Sequence, residues 1–317
     1  MAIKKTITAK TNFNFIGLRW IMFMFSALII LASIGITSQK GLNFGIDFTG
    51  GTLIEIRVET TPNLGELRTE LNQLDLGSIS IQEFGEAKDL LIRLPQQEGN
   101  DEAQQNAINA VRTYLDETFD QIDYRRVEYV GPQVGEELKK QGLYAIIFSL
   151  CGILIYIALR FEWKFGVAAI VALAHDAIAT IGLFSFTQME FNLSTVAAIL
   201  MIAGYSINDT VVVFDRIREN LRKFKSLGLQ DILNGSINQT LTRTIMTSVT
   251  TLLALLALWT FGGEVIRGFV NALLFGIVIG TYSSIFIASP ILLLLRLKRK
   301  APTKEVEEAE TSQAEQA

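Results

Sequence analysis

The sequence predicts a polytopic α-helical membrane protein with six transmembrane helices and a small α+β domain between the first and the second. Half of its 317 residues are hydrophobic, and the apolar residues are concentrated in long runs. A helix of about 20 apolar residues spans the hydrocarbon core of a bilayer, which is about 30 Å thick. Six runs of this kind lie at about 20–36, 143–159, 165–186, 193–214, 240–259 and 268–295. The one long connection between them, about 41–135, has the composition of a soluble domain.

Lysine and arginine residues near the ends of the spans predict the orientation of the chain, because cytoplasmic loops are enriched in them. Clusters precede the first span, separate the second from the third, and follow the fourth and the sixth: Lys4, Lys5, Lys10; Arg160, Lys164; Arg216, Arg218, Arg222, Lys223, Lys225; Arg296, Lys298, Arg299, Lys300. The short loops on the other side hold only Arg267. Both termini are therefore predicted to be cytoplasmic. No small-residue cleavage site follows the first span, which we interpret as a retained anchor.

The segment outside the membrane has the order βαββαβ, which is typical of a ferredoxin-like sandwich with helices on one face of an antiparallel sheet. Predicted strands lie at 52–58, 78–84, 89–94 and 124–130, and predicted helices at 64–74 and 101–118. The first strand shows partial alternation of apolar residues, and the second helix repeats apolar residues at helical spacing. Its length of about 95 residues is sufficient for an independent core.

These observations divide the chain into five parts. They are a cytoplasmic N-terminus (1–19), a first transmembrane helix (20–40), a ferredoxin-like domain (41–135), transmembrane helices two to six (136–296) and a cytoplasmic tail (297–317). The tail is rich in Glu, Ala and Gln and is predicted to be disordered, because such a segment cannot bury enough apolar surface to fold.

Cysteine and histidine usage excludes several kinds of site. Cys151 is the single cysteine, so an internal disulfide and a multi-cysteine metal site are excluded. His175 is the single histidine, which excludes His-x-x-x-His zinc chemistry. The sequence therefore implies no metal and no cofactor. An intramembrane enzyme is the least favoured class, because no serine–histidine or zinc-binding constellation is present.

Ionisable side chains inside the spans require a reason, because each costs at least about 2.5–3.5 kcal/mol at bilayer depth. Three places stand out: His175 with Asp176 in the third span, Asn208 with Asp209 in the fourth, and Arg243 in the fifth. Asp209 lies about 10 Å inward from Arg216, and Arg243 about 12 Å inward from the start of the fifth span on the same side. The two residues are therefore predicted to lie at similar depth on oppositely directed helices, within reach of each other.

The residues alone leave two interpretations of Asp209 and Arg243 open. In the first, Asp209 binds a proton when Arg243 is distant and releases it when Arg243 approaches, since burial disfavours a charged carboxylate and a guanidinium favours it. In the second, the two form a static salt bridge that fixes the register of the helices. A polar stripe of Thr240, Arg243, Thr247 and Thr250 along the fifth span supports water or interhelical hydrogen bonds. For His175 and Asp176, a hydrogen-bonded pair that fixes packing is favoured over a titrating site.

Several motifs together resemble the SecD/SecF family of protein-export membrane proteins. Residues 41–51 (GLNFGIDFTGG) are similar to the entry motif of that family, and residues 204–220 (GYSINDTVVVFDRIREN) to its fourth-span signature. Residues 174–176 (AHD), 242–244 (TRT) and 261–263 (FGG) match further family positions in order. The resemblance extends from the first span to about residue 295, and the acidic tail carries no motif of the family.

The resemblance implies a non-enzymatic accessory subunit of the Sec translocase in the bacterial inner membrane. Such a subunit works in an obligate complex with SecD, uses the proton motive force, and promotes late-stage export of unfolded preproteins through SecYEG. Membrane lipid is a further implied partner, and no nucleic acid is. The implied fold resembles resistance-nodulation-division transporters, with one six-span half from each subunit.

The resemblance also implies roles for named residues. The family's proton-coupling aspartate and arginine correspond to Asp209 and Arg243, which favours the titrating interpretation. Further residues are assigned supporting polar roles (His175, Asp176, Asn208, Thr247) or belong to the entry motif (Gly45, Asp47, Phe48, Gly50, Gly51). Two alternative functions remain. The first is half of a small-molecule exporter of the same superfamily, which the small size of the outer domain disfavours. The second is a passive scaffold without proton coupling.

Overall fold

The protein is described here by a computed structural model that covers residues 11–99, 101–295 and 297. The helices are α1 (Arg19–Lys40), α2 (Ile46–Thr49), α3 (Leu64–Asn72), α4 (Asp101–Thr118), α5 (Pro132–Arg160), α6 (Trp163–Thr187), α7 (Leu193–Lys223), α8 (Leu229–Phe261), α9 (Arg267–Ser283) and α10 (Ser289–Leu294). The strands are β1 (Gly51–Val58), β2 (Ser80–Phe84), β3 (Glu86–Leu94) and β4 (Ile122–Val130). Apart from Leu297, the tail that was predicted to be disordered lies outside the described residues.

The small domain has the predicted ferredoxin-like architecture. Strand β1 pairs antiparallel with β3 on one side and with β4 on the other, giving the sheet order β2-β3-β1-β4. Residues of β1 and β3 that alternate along the strands point to one face, where they pack with residues of α3 and α4. The fully buried residues of this core include Ile54, Ile56, Leu71, Leu90, Ile92, Val111 and Leu115. The order of the elements was therefore predicted from hydrophobic periodicity, and the structure adds which face of the sheet is buried.

Six helical stretches among the described residues are long and apolar enough to cross a membrane, which confirms the predicted fold class. They are Ile16–Lys40, Pro132–Arg160, Trp163–Thr187, Leu193–Lys223, Leu229–Phe261 and Arg267–Leu294. Helices α6, α7 and α9 bury about half of their apolar windows inside the bundle, whereas α1 and α5 bury about a tenth and lie at its periphery. The helices are longer than the predicted spans, because their polar ends continue beyond the apolar windows.

The last span contains an irregularity that the sequence pattern did not predict. Between α9 and α10 the chain forms a π-helical turn at Ser284–Ala288. Turns of this type are rare, and they often occur at functional sites. The serines at its start face the interior of the bundle.

Residues 41–51 attach the small domain to the bundle. The backbone N–H of Gly45 donates to the carbonyl of Phe191 (2.9 Å), and that of Phe191 donates to the carbonyl of Asn43 (2.8 Å). Arg93 of β3 also forms an ion pair with Glu190 (2.9 Å). The loop between α6 and α7 therefore lies on the same side of the bundle as the domain, and we call this the domain side.

The cationic clusters described by the structure lie on the opposite side. Arg160, at the end of α5, forms an ion pair with Asp215 near the end of α7 (2.8 Å). The N-terminal segment meets the start of α8 there, because the N–H of Phe13 donates to the side chain of Asn238 (2.9 Å). Basic residues at the helix ends therefore lie on the side opposite the domain, and the orientation prediction depends on this asymmetry. Which side is cytoplasmic stays a prediction.

Candidate functional site

Two carboxylates are buried in the membrane bundle, and they form the centre of the candidate site. Asp176 of α6 has no exposed surface, and Asp209 of α7 is 6% exposed. Both face the region where α6, α7 and α9 pack together, and α8 adds to the surroundings of Asp209. Small residues allow the helices to approach closely here, because a Cβ atom at Gly276 of α9 would collide with Ile202 of α7.

Asp209 is held through one of its two carboxylate oxygens. The hydroxyl of Thr244 on α8 donates to Oδ1 at 2.6 Å. The other oxygen, Oδ2, is buried and has no partner within hydrogen-bond distance and angle among the described residues, although the Ser284 hydroxyl of the π-helical turn is near enough to interact with the carboxylate. A buried carboxylate normally has its oxygens satisfied, so a free Oδ2 requires an explanation.

Arg243 lies at the level of Asp209 and is not bonded to it. Asp209 is fourteen residues from the Lys223 end of α7, and Arg243 is fourteen residues from the Leu229 start of α8, or about 21 Å in each case. The Arg243 side chain is exposed, although it is close enough to interact electrostatically with Asp209. The structure therefore brings the two to one depth, as predicted, with Thr244 rather than Arg243 in contact with the carboxylate.

The other supporting residues predicted on α7 and α8 face outward. Asn208 and Thr247 are exposed, and the Thr247 hydroxyl donates to the carbonyl of Thr244 in its own helix (2.9 Å). Thr250 is exposed as well, whereas Thr240 is buried. The predicted polar stripe therefore follows one face of α8, as its spacing of three and four residues requires, but only its Thr240 end is buried and the rest is exposed.

Asp176 is held through both of its oxygens. Oδ2 accepts hydrogen bonds from the hydroxyls of Ser206 on α7 (2.5 Å) and Ser283 on α9 (2.7 Å). Oδ1 lies 3.0 Å from Nδ1 of His175. The predicted contact between His175 and Asp176 is confirmed, and the two serines join it to two further helices.

The entry motif has steric reasons for its glycines. Gly50 and Gly51 have φ angles of +72° and +108°, a region that only glycine adopts without strain. A side chain at Gly45 would collide with Glu190. Asp47 accepts a hydrogen bond from the backbone N–H of Leu193, the first residue of α7 (2.8 Å), and Phe48 packs against Phe191.

Sequence reasoning missed several members of the site. Thr244 and Ser206 were noted only as parts of two motifs, 242–244 and 204–220. Ser283 was not singled out. The signal that could have found them is a hydroxyl residue within an apolar run, at a depth that matches a carboxylate on a neighbouring helix. Among the described residues, no group of three or more His, Cys, Asp or Glu side chains could hold a metal ion.

Comparisons with protein families give two matches. Residues 110–298 match the family described as "Protein export membrane protein SecD/SecF, C-terminal". Residues 35–62 match the "SecD/SecF GG Motif". The second match covers the glycine motif described above, and the first covers every membrane residue of the candidate site.

Similar proteins extend over nearly the whole chain. "Protein translocase subunit SecF" of Rickettsia bellii is 47% identical over 92% of this chain and 95% of that protein. The protein of the same name from Vibrio alginolyticus is 48% identical over 89% of this chain and 90% of that protein.

A solved structure, SecDF from Thermus thermophilus, described as a translocon-associated membrane protein, has a TM-score of 0.81 and 39% identity over 90% of this chain. A second SecDF structure, in a super-membrane-facing form, has a TM-score of 0.66 and 37% identity. This chain covers only 39% and 41% of those two chains. By family match, identity and fold, the chain belongs to the SecD/SecF family of protein-export membrane proteins.

Proposed function

We propose that this chain is an accessory subunit of the Sec translocase that couples the proton motive force to late-stage export of preproteins through SecYEG. It acts in an obligate complex with a SecD partner, in the bacterial inner membrane, with both termini in the cytoplasm. It catalyses no reaction of its own. The observation that carries the proposal is the buried Asp209 carboxylate, which has one oxygen without a hydrogen-bond partner and lies near Arg243, a residue that forms no ion pair within the described part of the chain.

The free oxygen of Asp209 supports proton binding. A carboxylate that is buried without a cation is costly, and binding a proton removes the charge. The hydroxyl of Thr244 donates to Oδ1 and leaves Oδ2 available to carry that proton. A carboxyl group held in this way can change its charge without breaking an ion pair.

The position of Arg243 supports a second state. Arg243 directly precedes Thr244, and consecutive residues of an α-helix point about 100° apart. A rotation of α8, or a movement of the long arginine side chain, would therefore exchange a hydroxyl for a guanidinium at Asp209. The guanidinium favours the ionised carboxylate and would drive release of the proton.

The outward-facing polar residues support a partner within the membrane. Asn208, Arg243 and Thr247 are exposed at bilayer depth, where contact with lipid would be costly. A second six-span half that covers this face would remove the cost. The two solved SecDF chains, of which this chain covers about two fifths, leave room for such a half.

The test compares Asp209→Asn with the double variant Asp209→Asn, Arg243→Gln. Export is measured in inner-membrane vesicles with and without an imposed proton gradient. We expect both variants to associate with SecD and to lose the stimulation by the gradient, because asparagine keeps the size of aspartate but cannot change charge. Asp215→Asn serves as the matched control, since Asp215 is on the same helix and partly exposed. It is expected to retain the stimulation.

The passive scaffold predicts a different result. If Asp209 and Arg243 only fix the packing, removing both charges leaves no unpaired charge inside the membrane, and the double variant should recover. Gradient-stimulated export at the wild-type level in the double variant would exclude proton coupling through Asp209. Transport of a small molecule, with no effect on export, would favour the exporter alternative.

A further inference from the structure

The second buried carboxylate is not used by the mechanism above, and its surroundings differ from those of an ordinary packing pair. Asp176 receives hydrogen bonds from three side chains on three elements: His175 on α6, Ser206 on α7 and Ser283 on α9. A contact that only fixed packing would need one of these. Three donors on separate helices make the carboxylate the common hydrogen-bond partner of the inner bundle.

Charge around Asp176 is scarce. Among ionisable groups, His175 on its own helix contacts it, and Tyr282 on α9 contacts His175, with the two rings 6.1 Å apart. Helix α7 carries Asp209 one turn beyond Ser206, α1 contributes Ser26, through Tyr282, and the π-helical turn contributes Ser284, which bonds the carbonyl of Ser206. No arginine or lysine of the described residues contacts Asp176. A negative charge on Asp176 can therefore be neutralised only by a proton on the carboxylate or on His175.

His175 has an open position. Its Nδ1 atom faces Asp176, while Nε2 is buried and has no hydrogen-bond partner among the described residues. The residue is 5% exposed. A neutral imidazole can accept a proton at this nitrogen, so histidine and aspartate together can hold one or two protons.

The geometry links Asp176 to Asp209. Ser206 lies three residues before Asp209, and residues at that spacing are neighbours on one helix face, about 5–6 Å apart. Ser206 donates to Asp176, so the two carboxylates are separated by one serine and one helical turn. Ser206 is nearer than Asp209 to Leu193, which marks the domain side.

The π-helical turn adds a second link. Ser283 and Ser284 are consecutive, and both hydroxyls point into the bundle: Ser283 donates to Asp176, and Ser284 contacts the hydroxyl of Thr210 (2.8 Å), the residue after Asp209. Residues of a π-helix turn through a smaller angle than those of an α-helix, which allows neighbouring hydroxyls to share a face. Both acidic sites therefore rest on one short irregular segment of the last span.

We propose that Asp176, with His175, is a second proton-binding site, bonded to Ser206, which lies one turn of α7 from Asp209 towards the domain side. This inference rests on the proposed proton coupling and deepens it. A proton that enters from the domain side binds at the His175–Asp176 pair before it reaches Asp209. Like charges at this separation disfavour ionisation of both carboxylates, so the proton occupancies of the two sites are coupled.

The test is an infrared titration of the full chain in lipid nanodiscs, with 13C-labelled aspartate. Buried carboxylic acids give a carbonyl band that is resolved from the ionised and exposed ones. We expect two such bands that change with pH in the wild type. Asp176→Asn removes one, and Asp209→Asn removes the other. A spectrum of Asp176→Asn equal to that of the wild type, or an Asp176 band that does not change with pH, overturns the proposal in favour of a packing pair.

A second variant keeps the test decisive if Asp176→Asn does not fold. Ser283→Ala leaves the carboxyl group in place and removes one of its donors, so the midpoint of the Asp176 band should move while that of Asp209 moves less. Thr281→Val is the matched control, because this threonine of the same helix bonds the carbonyl of Ile277 and the hydroxyl of Ser248 rather than a carboxylate. Equal midpoints in the wild type and Ser283→Ala contradict the proposal.

The titration also separates this inference from the proposed function. The infrared spectra report proton binding without any export. Two titrating bands, together with export that the proton gradient does not stimulate, would refute only the coupling of protons to export. Gradient-driven export with one titrating band, that of Asp209, would refute the second site alone.

Discussion

The outer domain and the membrane bundle expose different kinds of side chain. In the domain, Leu90 and Ile92 are fully buried and most charged residues lie at the surface. In the bundle, Asp176 is fully buried, whereas Leu31 and Leu159 are 69% and 85% exposed. Water drives apolar surface inward, but lipid does not, so the bundle leaves large apolar side chains on its outside and adds close contacts of small and hydroxyl residues to its apolar core.

The two regions also hold their carboxylates differently. In the domain, the Arg57 guanidinium donates hydrogen bonds to Asp89 and holds the pKa of this buried carboxyl below its ordinary value. In the bundle, Asp209 is bound by a hydroxyl, and Asp176 by two hydroxyls and a histidine. An arginine partner stabilises only the ionised carboxylate. A hydroxyl partner can donate to the ionised form and accept from the protonated form, so it is compatible with both. The comparison therefore separates structural acids from acids that can titrate.

The largest effect that we expect from this comparison is a leucine truncation in the domain. Leu90→Ala removes a fully buried side chain and should lower the free energy of unfolding of the domain by about 2–5 kcal/mol. Leu31→Ala, on the outer face of α1, should change stability by no more than about 0.5 kcal/mol. Hydrogen exchange of β3 and α1 amides in the full chain measures both. Similar costs at the two positions would contradict the comparison.

A smaller effect is expected from a glycine at the contact between α1 and α6. A Cβ atom at Gly182 would collide with the Ser33 side chain and lie 2.8 Å from its Cα atom. Gly182→Ala should therefore cost about 1–3 kcal/mol through overpacking. Gly152→Ala, where nothing lies within 4 Å, should be neutral or stabilise α5 by up to about 1 kcal/mol. Thermal unfolding of both variants decides whether close helix approach holds the bundle together.

The sequence predicted the domain better than the site, for a physical reason. Strand alternation determines which face is buried, so the order of elements and the core follow from local pattern. The depths of Asp209 and Arg243 were also predictable, since the rise per residue is constant. The rotation of α8 about its axis was not predictable, because both Arg243 and Thr244 are polar and lie one position apart. The role of these residues in proton coupling stays a prediction.

Contacts between distant segments were also beyond local pattern. Ser283 reaches Asp176 next to the π-helical turn, and the one helix-breaking residue of that span, Pro290, lies two residues beyond the turn and does not specify its position. The contact between Asp47 and Leu193 joins residues 146 positions apart. The motif resemblance identified Asp47 without giving its partner.

The smallest effect concerns that contact, where the two regions meet. The carboxylate of Asp47 accepts the N–H of Leu193 at the N-terminus of α7, where a negative charge is stabilised by the helix dipole. Asp47→Asn keeps the size and an acceptor oxygen but removes the charge, so it should cost about 0.3–1 kcal/mol. We expect faster hydrogen exchange at the Leu193 amide and little change within the core of the domain. Asp120→Asn, at an exposed position of the domain, is the control and should leave that exchange unchanged.

Because α7 also carries Asp209, a change at Leu193 that spreads along α7 would indicate that the domain and the site are mechanically connected. Unchanged exchange at Leu193 in Asp47→Asn would mean that the Asn192 capping box, which already binds the N–H of Thr195, holds the start of α7 without help from the domain.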